Sequence, residues 1–190
     1  DAEKLSGKGD TSQKLTLMKT SADSLKKSAD ALNDSSLWEK KKIKKKDEKT
    51  GEEIEVEDYD WDKITKAVKS FVEDYNDVVK EAGESNTKDV LRNASWMTGM
   101  TDKNSNMLAQ IGITIGKGNK LELDEDALKQ ADISSLKTVF TGYNSFVSKI
   151  SQKATGISNA ANRASATYTN NGTYSKTDSL LTSSKIDEEV

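Results

Sequence analysis

The chain has 190 residues and a formal net charge of −3, with 33% hydrophobic and 32% charged residues and no proline, cysteine or histidine. Without cysteine and histidine, the chain cannot form a disulfide scaffold, an iron–sulfur cluster, a cysteine-ligated zinc site or a histidine-based catalytic triad. Because proline breaks helix interiors, its absence permits long helices, and a mean hydropathy of −0.77 favours narrow seams between helices over a thick globular core. No apolar stretch is long enough to cross a membrane, and we expect neither membrane insertion nor a bound cofactor.

The first predicted helix covers residues 13–34 and follows a polar, flexible lead-in at residues 1–12. Apolar residues recur in it at alternating steps of three and four, which is the spacing of a coiled-coil seam. The seam consists of Leu15, Met18, Ala22, Leu25, Ala29 and Leu32. Because a single helix of about 20 residues is marginally stable in water, this helix is expected to pack against a neighbour.

Residues 37–60 are predicted to form a charged β-hairpin around a polar turn that ends at Gly51. A register in which Ile43 faces Ile54 would place lysines opposite glutamates on one face. The expected pairs are Lys40–Glu57, Lys42–Glu55 and Lys44–Glu53, with Trp38 opposite Tyr59. The lysine run at residues 40–46 is a possible nucleic-acid-binding patch, but the acidic segment 52–58 neutralises its charge. Because nucleic-acid affinity depends on free positive charge, a solvent-exposed hairpin is the favoured interpretation.

A second seam predicts a helix from about residue 60 to Gly83. It consists of Ile64, Val68, Phe71, Tyr75, Val78 and Ala82. Short helices are predicted near residues 90–97, 103–111 and 124–131, with two short strands at 113–115 and 121–123. The sequence at 116–119 lacks the spacing of a phosphate-binding loop and indicates a tight turn. The acidic residues 124–126 fit the start of a helix better than a cation site.

The longest seam predicts a continuous helix over residues 133–166, about 45 Å in length. It consists of Leu136, Phe140, Tyr143, Val147, Ile150, Ala154, Ile157, Ala161, Ala164 and Tyr168. The polar residues 169–190 are expected to form a disordered tail. The sequence therefore predicts a mainly α protein, an elongated antiparallel helical bundle or coiled coil with one or two small β-hairpins, in a single stem domain at residues 13–168.

No residue pattern singles out a catalytic site. Paired carboxylates occur by number alone, and a thin helical body lacks the pocket that raises the pKa of a catalytic acid. The three tryptophans could form a ligand platform, but they are expected to anchor the hairpin and the helix junctions. We therefore expect a structural protein and no enzyme.

Four segments resemble, in order and spacing, flagellar hook-associated proteins of the filament-cap type (hook-associated protein 2). They are KSFVEDYNDVV (residues 69–79), TKDVLRN (87–93), MLAQIGITIGKGNKLELDEDALKQA (107–131) and TVFTG (138–142). The resemblance covers roughly residues 60–165. It implies an extracellular protein at the tip of a bacterial flagellum that forms rings through a helical stem and promotes flagellin assembly. It also implies that the helix at 13–34 pairs with the C-terminal helix.

The resemblance leaves open what the protein contacts. The family's large β-rich head is absent, or reduced to residues 37–60, and because the chain begins with Asp1 we expect a piece of a longer protein. The expected partners are further copies of the chain and flagellin or other filament and hook-associated subunits, with no nucleic acid. An alternative is a non-flagellar cell-surface adhesion module that reuses the stem, and a third is a nucleic-acid-binding coiled coil.

The heptad positions divide into two predicted groups. The intrachain bundle is expected to consist of Leu15, Leu25, Leu32, Ile64, Val68, Phe71, Tyr75, Leu136, Phe140, Val147 and Ile150. Because the last helix is expected to extend beyond its intrachain partners, intermolecular contacts are assigned to Ala154, Ile157, Ala161 and Ala164.

Overall fold

Helices form most of the fold, together with two small antiparallel hairpins, which confirms the predicted mainly α class. The computed structural model describes residues 9–172, with the backbone alone for residues 168–172. The elements in chain order are α1 (Ser12–Leu32), β1 (Lys41–Lys46), β2 (Glu53–Asp58), α2 (Trp61–Gly83), α3 (Lys88–Lys103), α4 (Ser105–Ala109), β3 (Ile113–Ile115), β4 (Leu121–Leu123), α5 (Glu125–Gln130), α6 (Ile133–Phe140) and α7 (Phe146–Gly172). The predicted tail at 169–190 falls outside the described residues, except that α7 continues to Gly172.

The three long helices α1, α2 and α7 make up the stem. The most extensive helix contact is between α1 and α7, followed by that between α1 and α2, while α3 packs on α7. The N- and C-terminal helices therefore pair, as expected. Apolar side chains from all three helices meet in one buried cluster. Each fully buried valine, leucine, isoleucine, phenylalanine or methionine side chain stabilises the fold by about 1.5–3 kcal/mol.

The predicted continuous helix over 133–166 is wrong, because the helix is interrupted between α6 and α7. Gly142 has a φ of +99°, which favours glycine and ends a helix. The side chain of Asn33 holds this turn: its Oδ1 accepts from the Gly142 N–H at 2.9 Å, and its amide donates to the Gly142 carbonyl at 3.4 Å. Ser145 then caps α7 by accepting from the Ser148 N–H at 3.1 Å. Tyr143, expected in the seam, is 83% exposed.

The hairpin of β1 and β2 has a register two residues away from the predicted one. Ile43 faces Val56 instead of Ile54. The lysine–glutamate pairs are Lys42–Glu57, Lys44–Glu55 and Lys46–Glu53. The difference comes from the turn, where the Asp47 N–H donates to the Glu52 carbonyl at 2.8 Å and encloses four loop residues. A shift of two residues keeps every side chain on its predicted face.

Asp10 lies in the part of the chain expected to be a flexible lead-in, yet it is only 6% exposed. Its carboxylate accepts from the Asn86 N–H at 2.9 Å, the Thr87 N–H at 3.0 Å and the Ser85 hydroxyl at 2.6 Å. These donors precede α3, so a carboxylate distant in sequence caps this helix, which lacks a side-chain cap from Thr87. Residues 1–8 of the predicted lead-in lie outside the described residues.

The capping by Asp10 predicts acid sensitivity. Burial alone would raise the pKa of Asp10, but hydrogen bonds from Asn86, Ser85 and Thr87 outweigh it and hold the pKa below its ordinary value of 3.8. A lowered folded-state pKa contributes stability that is full above the unfolded-state pKa and is lost as the pH falls through the folded-state pKa. We expect urea denaturation to show a falling free energy of unfolding below about pH 4. Asp10→Asn should show a shallower fall, and equal slopes for the two proteins would contradict the assignment.

Gly112 joins α4 to β3, and the backbone at this position accepts only glycine without strain. Its φ is +88°, and a Cβ atom there would lie 2.7 Å from the Asp124 carbonyl oxygen and 3.0 Å from the Leu128 nitrogen. Both contacts are to backbone at the start of α5, which cannot move away as a side chain can.

Gly112→Ala should therefore lower the free energy of unfolding by more than the about 1–2 kcal/mol expected for a left-handed residue alone. The matched control is Gly118→Ala, because Gly118 also has a positive φ, +65°, with no atom within 4 Å of the added Cβ. Chemical denaturation of both variants separates the cost of a left-handed backbone from the cost of the Cβ contact with α5. Equal losses would show that the contact with α5 contributes nothing.

Candidate functional site

The eleven residues predicted to form the intrachain bundle are all buried, each 3% exposed or less. They are Leu15, Leu25, Leu32, Ile64, Val68, Phe71, Tyr75, Leu136, Phe140, Val147 and Ile150. The ring of Phe71 lies 6.2 Å from that of Tyr75, 6.5 Å from that of Phe140 and 6.4 Å from that of Phe146. Aromatic pairs at such distances stabilise the fold beyond the area they bury. This aromatic cluster joins α2 to α6 and α7.

Two polar pairs, each of a buried serine and a more exposed aspartate, cross between α1 and α7. The Ser151 hydroxyl donates to Asp30 at 2.7 Å, and the Ser158 hydroxyl donates to Asp23 at 2.6 Å. The order of the pairs shows that the two helices are antiparallel. Sliding one helix by a single turn would separate both pairs and take the aspartate partners away from the buried serine hydroxyls, which costs free energy. These pairs therefore favour one register, and their spacing of seven residues in both helices was a sequence signal that the hydrophobic pattern did not use.

The same two aspartates also carry ion pairs along α1. Lys19 lies 2.8 Å from Asp23, and Lys26 lies 2.6 Å from Asp30. Burial alone would raise the pKa of both aspartates, but the hydrogen bonds from these lysines and from the serines of α7 outweigh it and lower the pKa of each. Asp23 and Asp30 are therefore charged at neutral pH and accept from both helices at once.

Three of the four residues assigned to intermolecular contacts are covered by the chain itself. Ala154, Ile157 and Ala161 are 0% exposed, because α1 extends along α7 over these positions. Another chain could reach them only if α1 moved away, so the expectation that α7 extends beyond its partners is wrong at these positions. Ala164 is partly buried and is the remaining candidate of the four.

Tyr75 and Asn76 are adjacent on α2, and their side chains bind different elements of the fold. The Tyr75 hydroxyl donates to Thr101 Oγ1 at 2.7 Å, and Thr101 donates to the Met97 carbonyl at 2.9 Å. Burial raises the pKa of Tyr75 to about 12, so its hydroxyl stays protonated. The Asn76 amide pairs with both backbone groups of Leu121, at 2.9 and 2.7 Å. Tyr75 thus connects α2 to α3, and Asn76 connects α2 to the hairpin of β3 and β4.

The three tryptophans lie in separate places. Trp38 is buried and Trp61 is half-buried, whereas Trp96 is 51% exposed. The Lys153 amine lies 3.9 Å above the Trp96 ring, a cation–π contact between α3 and α7. Trp38 stacks on the Phe140 ring of α6 at 5.5 Å, and because it is buried it cannot form a ligand platform together with Trp96.

Within residues 9–172, no group of three or more Asp, Glu, His or Cys side chains could hold a metal ion. Over the same stretch, no helix has the length and apolar character to cross a bilayer. The described residues form a packed helical stem with exposed charged and aromatic groups.

The comparisons with known proteins give one result. A family model described as "Flagellar hook-associated protein 2 C-terminus" matches residues 85–188, which is more than half of the chain. The comparisons with curated proteins and with solved structures found no match. The matched residues include α3 to α7 and begin at the loop that Asp10 contacts.

Proposed function

Because the chain belongs to the flagellar hook-associated protein 2 family, we propose that it is a structural protein that caps or promotes the assembly of a flagellar filament through its helical stem. Its partners would be further copies of the chain and flagellin or other filament subunits. Its place would be the outer end of the filament, outside the cell. The role requires docking surfaces and no catalytic group.

One observation carries the proposal: the region matched by the family model includes α7, and α7 packs along α1 within one buried core. The matched region and the N-terminal helix thus form a single helical unit. The Asp–Ser pairs between α1 and α7 fix their relative position, as a stem that transmits a docking geometry requires. Among the residues assigned to contacts with other chains, Ala164 near the end of α7 is the one that these contacts could involve without displacing α1.

The test is filament growth in the presence of the full chain. Flagellin from the same organism is polymerised with and without added chain, and filament length and the position of the labelled chain are recorded by fluorescence microscopy. We expect label at one filament end and altered elongation at a small molar ratio to flagellin. The control is Ile157→Asp, a variant expected not to fold, which should have neither effect.

Wild-type chain that neither binds filament ends nor changes elongation would overturn the proposal. If it instead bound a host or matrix ligand while ignoring flagellin, the adhesion interpretation would replace it. Binding to DNA or RNA that weakens with salt would support the nucleic-acid interpretation.

A further inference from the structure

The hairpin of β1 and β2 has two outer edges of opposite charge. The β1 strand reads KKIKKK and the β2 strand reads EIEVED. In the part of the chain that the structure describes, this sheet has two strands only. Each strand therefore has one edge without a strand partner, and such edges are ready to pair with another chain.

The backbone groups on these edges belong to the charged residues. The Asp47 N–H donates to the Glu52 carbonyl inside the hairpin, and hydrogen-bonded pairs alternate along an antiparallel ladder. The inward bonds therefore come from odd-numbered residues of β1 and even-numbered residues of β2. The outward groups belong to Lys42, Lys44 and Lys46 on β1 and to Glu53, Glu55 and Glu57 on β2.

This parity decides which edges are compatible. When two edges join in an antiparallel ladder, the residues that exchange hydrogen bonds lie directly opposite each other. Two β1 edges would place lysine opposite lysine, and two β2 edges would place glutamate opposite glutamate, and both arrangements are repulsive. A β1 edge against a β2 edge places lysine opposite glutamate in each antiparallel register that overlaps the two strands.

We infer that the hairpins of neighbouring copies of this chain pair edge to edge, with β1 of one copy beside β2 of the next. The contact is head to tail, so it builds a ring if the rotation between copies closes and an open chain if it does not. Because β1 and β2 run antiparallel in each copy, copies related by a small rotation stay antiparallel at every junction. The inference deepens the proposed contact between copies and does not depend on flagellin.

The apolar residues of the hairpin, on the face opposite to the paired lysines and glutamates, also fit a head-to-tail contact. Ile43, Ile54 and Val56 share that face, and Ile54 is 39% exposed. At a junction the same parity places Ile43 of one copy opposite Val56 or Ile54 of the next, which extends a narrow apolar strip from copy to copy. Lysine on an edge strand commonly prevents aggregation, and here it would do so for β1 against β1 while leaving the head-to-tail contact open.

A charge-swapped full chain tests the inference. It carries Lys42→Glu, Lys44→Glu, Lys46→Glu, Glu53→Lys, Glu55→Lys and Glu57→Lys. Within one hairpin each lysine still faces a glutamate, so the hairpin keeps its internal pairs. At a junction of β1 with β2, its edges repel those of the wild type and attract those of its own kind, whereas β1 of one kind attracts β1 of the other.

Analytical ultracentrifugation and energy transfer between labelled chains give the outcomes. We expect wild type to self-associate, at least tenfold more weakly in about 0.5 M salt than at low salt. The swapped chain should also self-associate, because the lysine–glutamate pairs across its β1–β2 junction are kept with the charges exchanged. A wild-type chain or a swapped chain that stays monomeric at high concentration would overturn the inference.

A second variant tests the backbone contact itself. Lys44→Pro removes an N–H that points outward and that the hairpin does not use. The matched control Lys44→Ala removes the same charge but keeps the N–H. We expect the proline variant to lose self-association at least tenfold relative to the alanine variant, while the amides of Ile43 and Val56 stay protected from hydrogen exchange. Equal association of the two variants would contradict edge pairing.

If the hairpin contact fails while the chain still binds filament ends, the inference is wrong and the proposed function stands. If the hairpin contact holds while flagellin assembly is unaffected, the inference stands and the proposed function is wrong. The two experiments therefore fail separately.

Discussion

Replacing Phe71 with alanine should lower the free energy of unfolding by about 3–5 kcal/mol. Phe71 is fully buried, and its ring contacts those of Tyr75, Phe140 and Phe146. The substitution removes the aromatic contacts that join α2 to α6 and α7, and it leaves a cavity that the surrounding helices can only partly fill. Urea denaturation followed by circular dichroism measures the loss.

The control for this prediction is Tyr143→Ala. Tyr143 is an aromatic residue of the same predicted seam, but it is 83% exposed in the turn before α7. Its removal should change the free energy of unfolding by less than about 0.5 kcal/mol. Similar losses in the two variants would show that the aromatic cluster does not stabilise the stem as the structure indicates.

The hydrophobic pattern was sufficient to predict the stem because burial in a helix has a fixed period. α1 and α2 lie within two residues of their predicted bounds, and their seam residues are buried as a set. The strands at 113–115 and 121–123 were also predicted correctly, since Gly116 and Gly118 separate two short apolar runs. These features depend on residues close together in sequence.

The break before α7 could not be predicted from the same pattern, because the heptad spacing continues through it. Leu136, Phe140 and Val147 are all buried even though the helix is interrupted between them. The local signals were Gly142, which ends α6, and Ser145, which caps α7. The contact that holds the turn comes from Asn33, more than a hundred residues away, and no local pattern reveals it.

The candidate contacts between chains were predicted less well than the bundle. The pattern identified Ala154 and Ile157 as seam residues, but periodicity cannot tell whether a seam faces the same chain or another one. That choice depends on how far α1 extends along α7. The Asp–Ser pairs, which place α1 along α7, are long-range polar contacts that hydrophobic spacing does not contain.

Ile157→Asp decides between these two roles for the seam of α7. Ile157 is 0% exposed within the buried cluster of the stem, so a carboxylate there would be buried without a partner. Such a substitution should lower the free energy of unfolding by about 3–5 kcal/mol. Because domains of this size are stable by about 5–15 kcal/mol, we expect partial or complete unfolding, measured by thermal circular dichroism.

The matched control is Leu17→Asp, which places the same charge on α1 at a position that is 52% exposed. It should cost less than about 1 kcal/mol, chiefly from the lower helix propensity of aspartate. If Ile157 contacted another chain instead, Ile157→Asp would melt like wild type and lose only self-association, which light scattering on the same samples would reveal. Melting at a much lower temperature than Leu17→Asp, already in dilute solution where chains do not meet, assigns Ile157 to the core of its own stem.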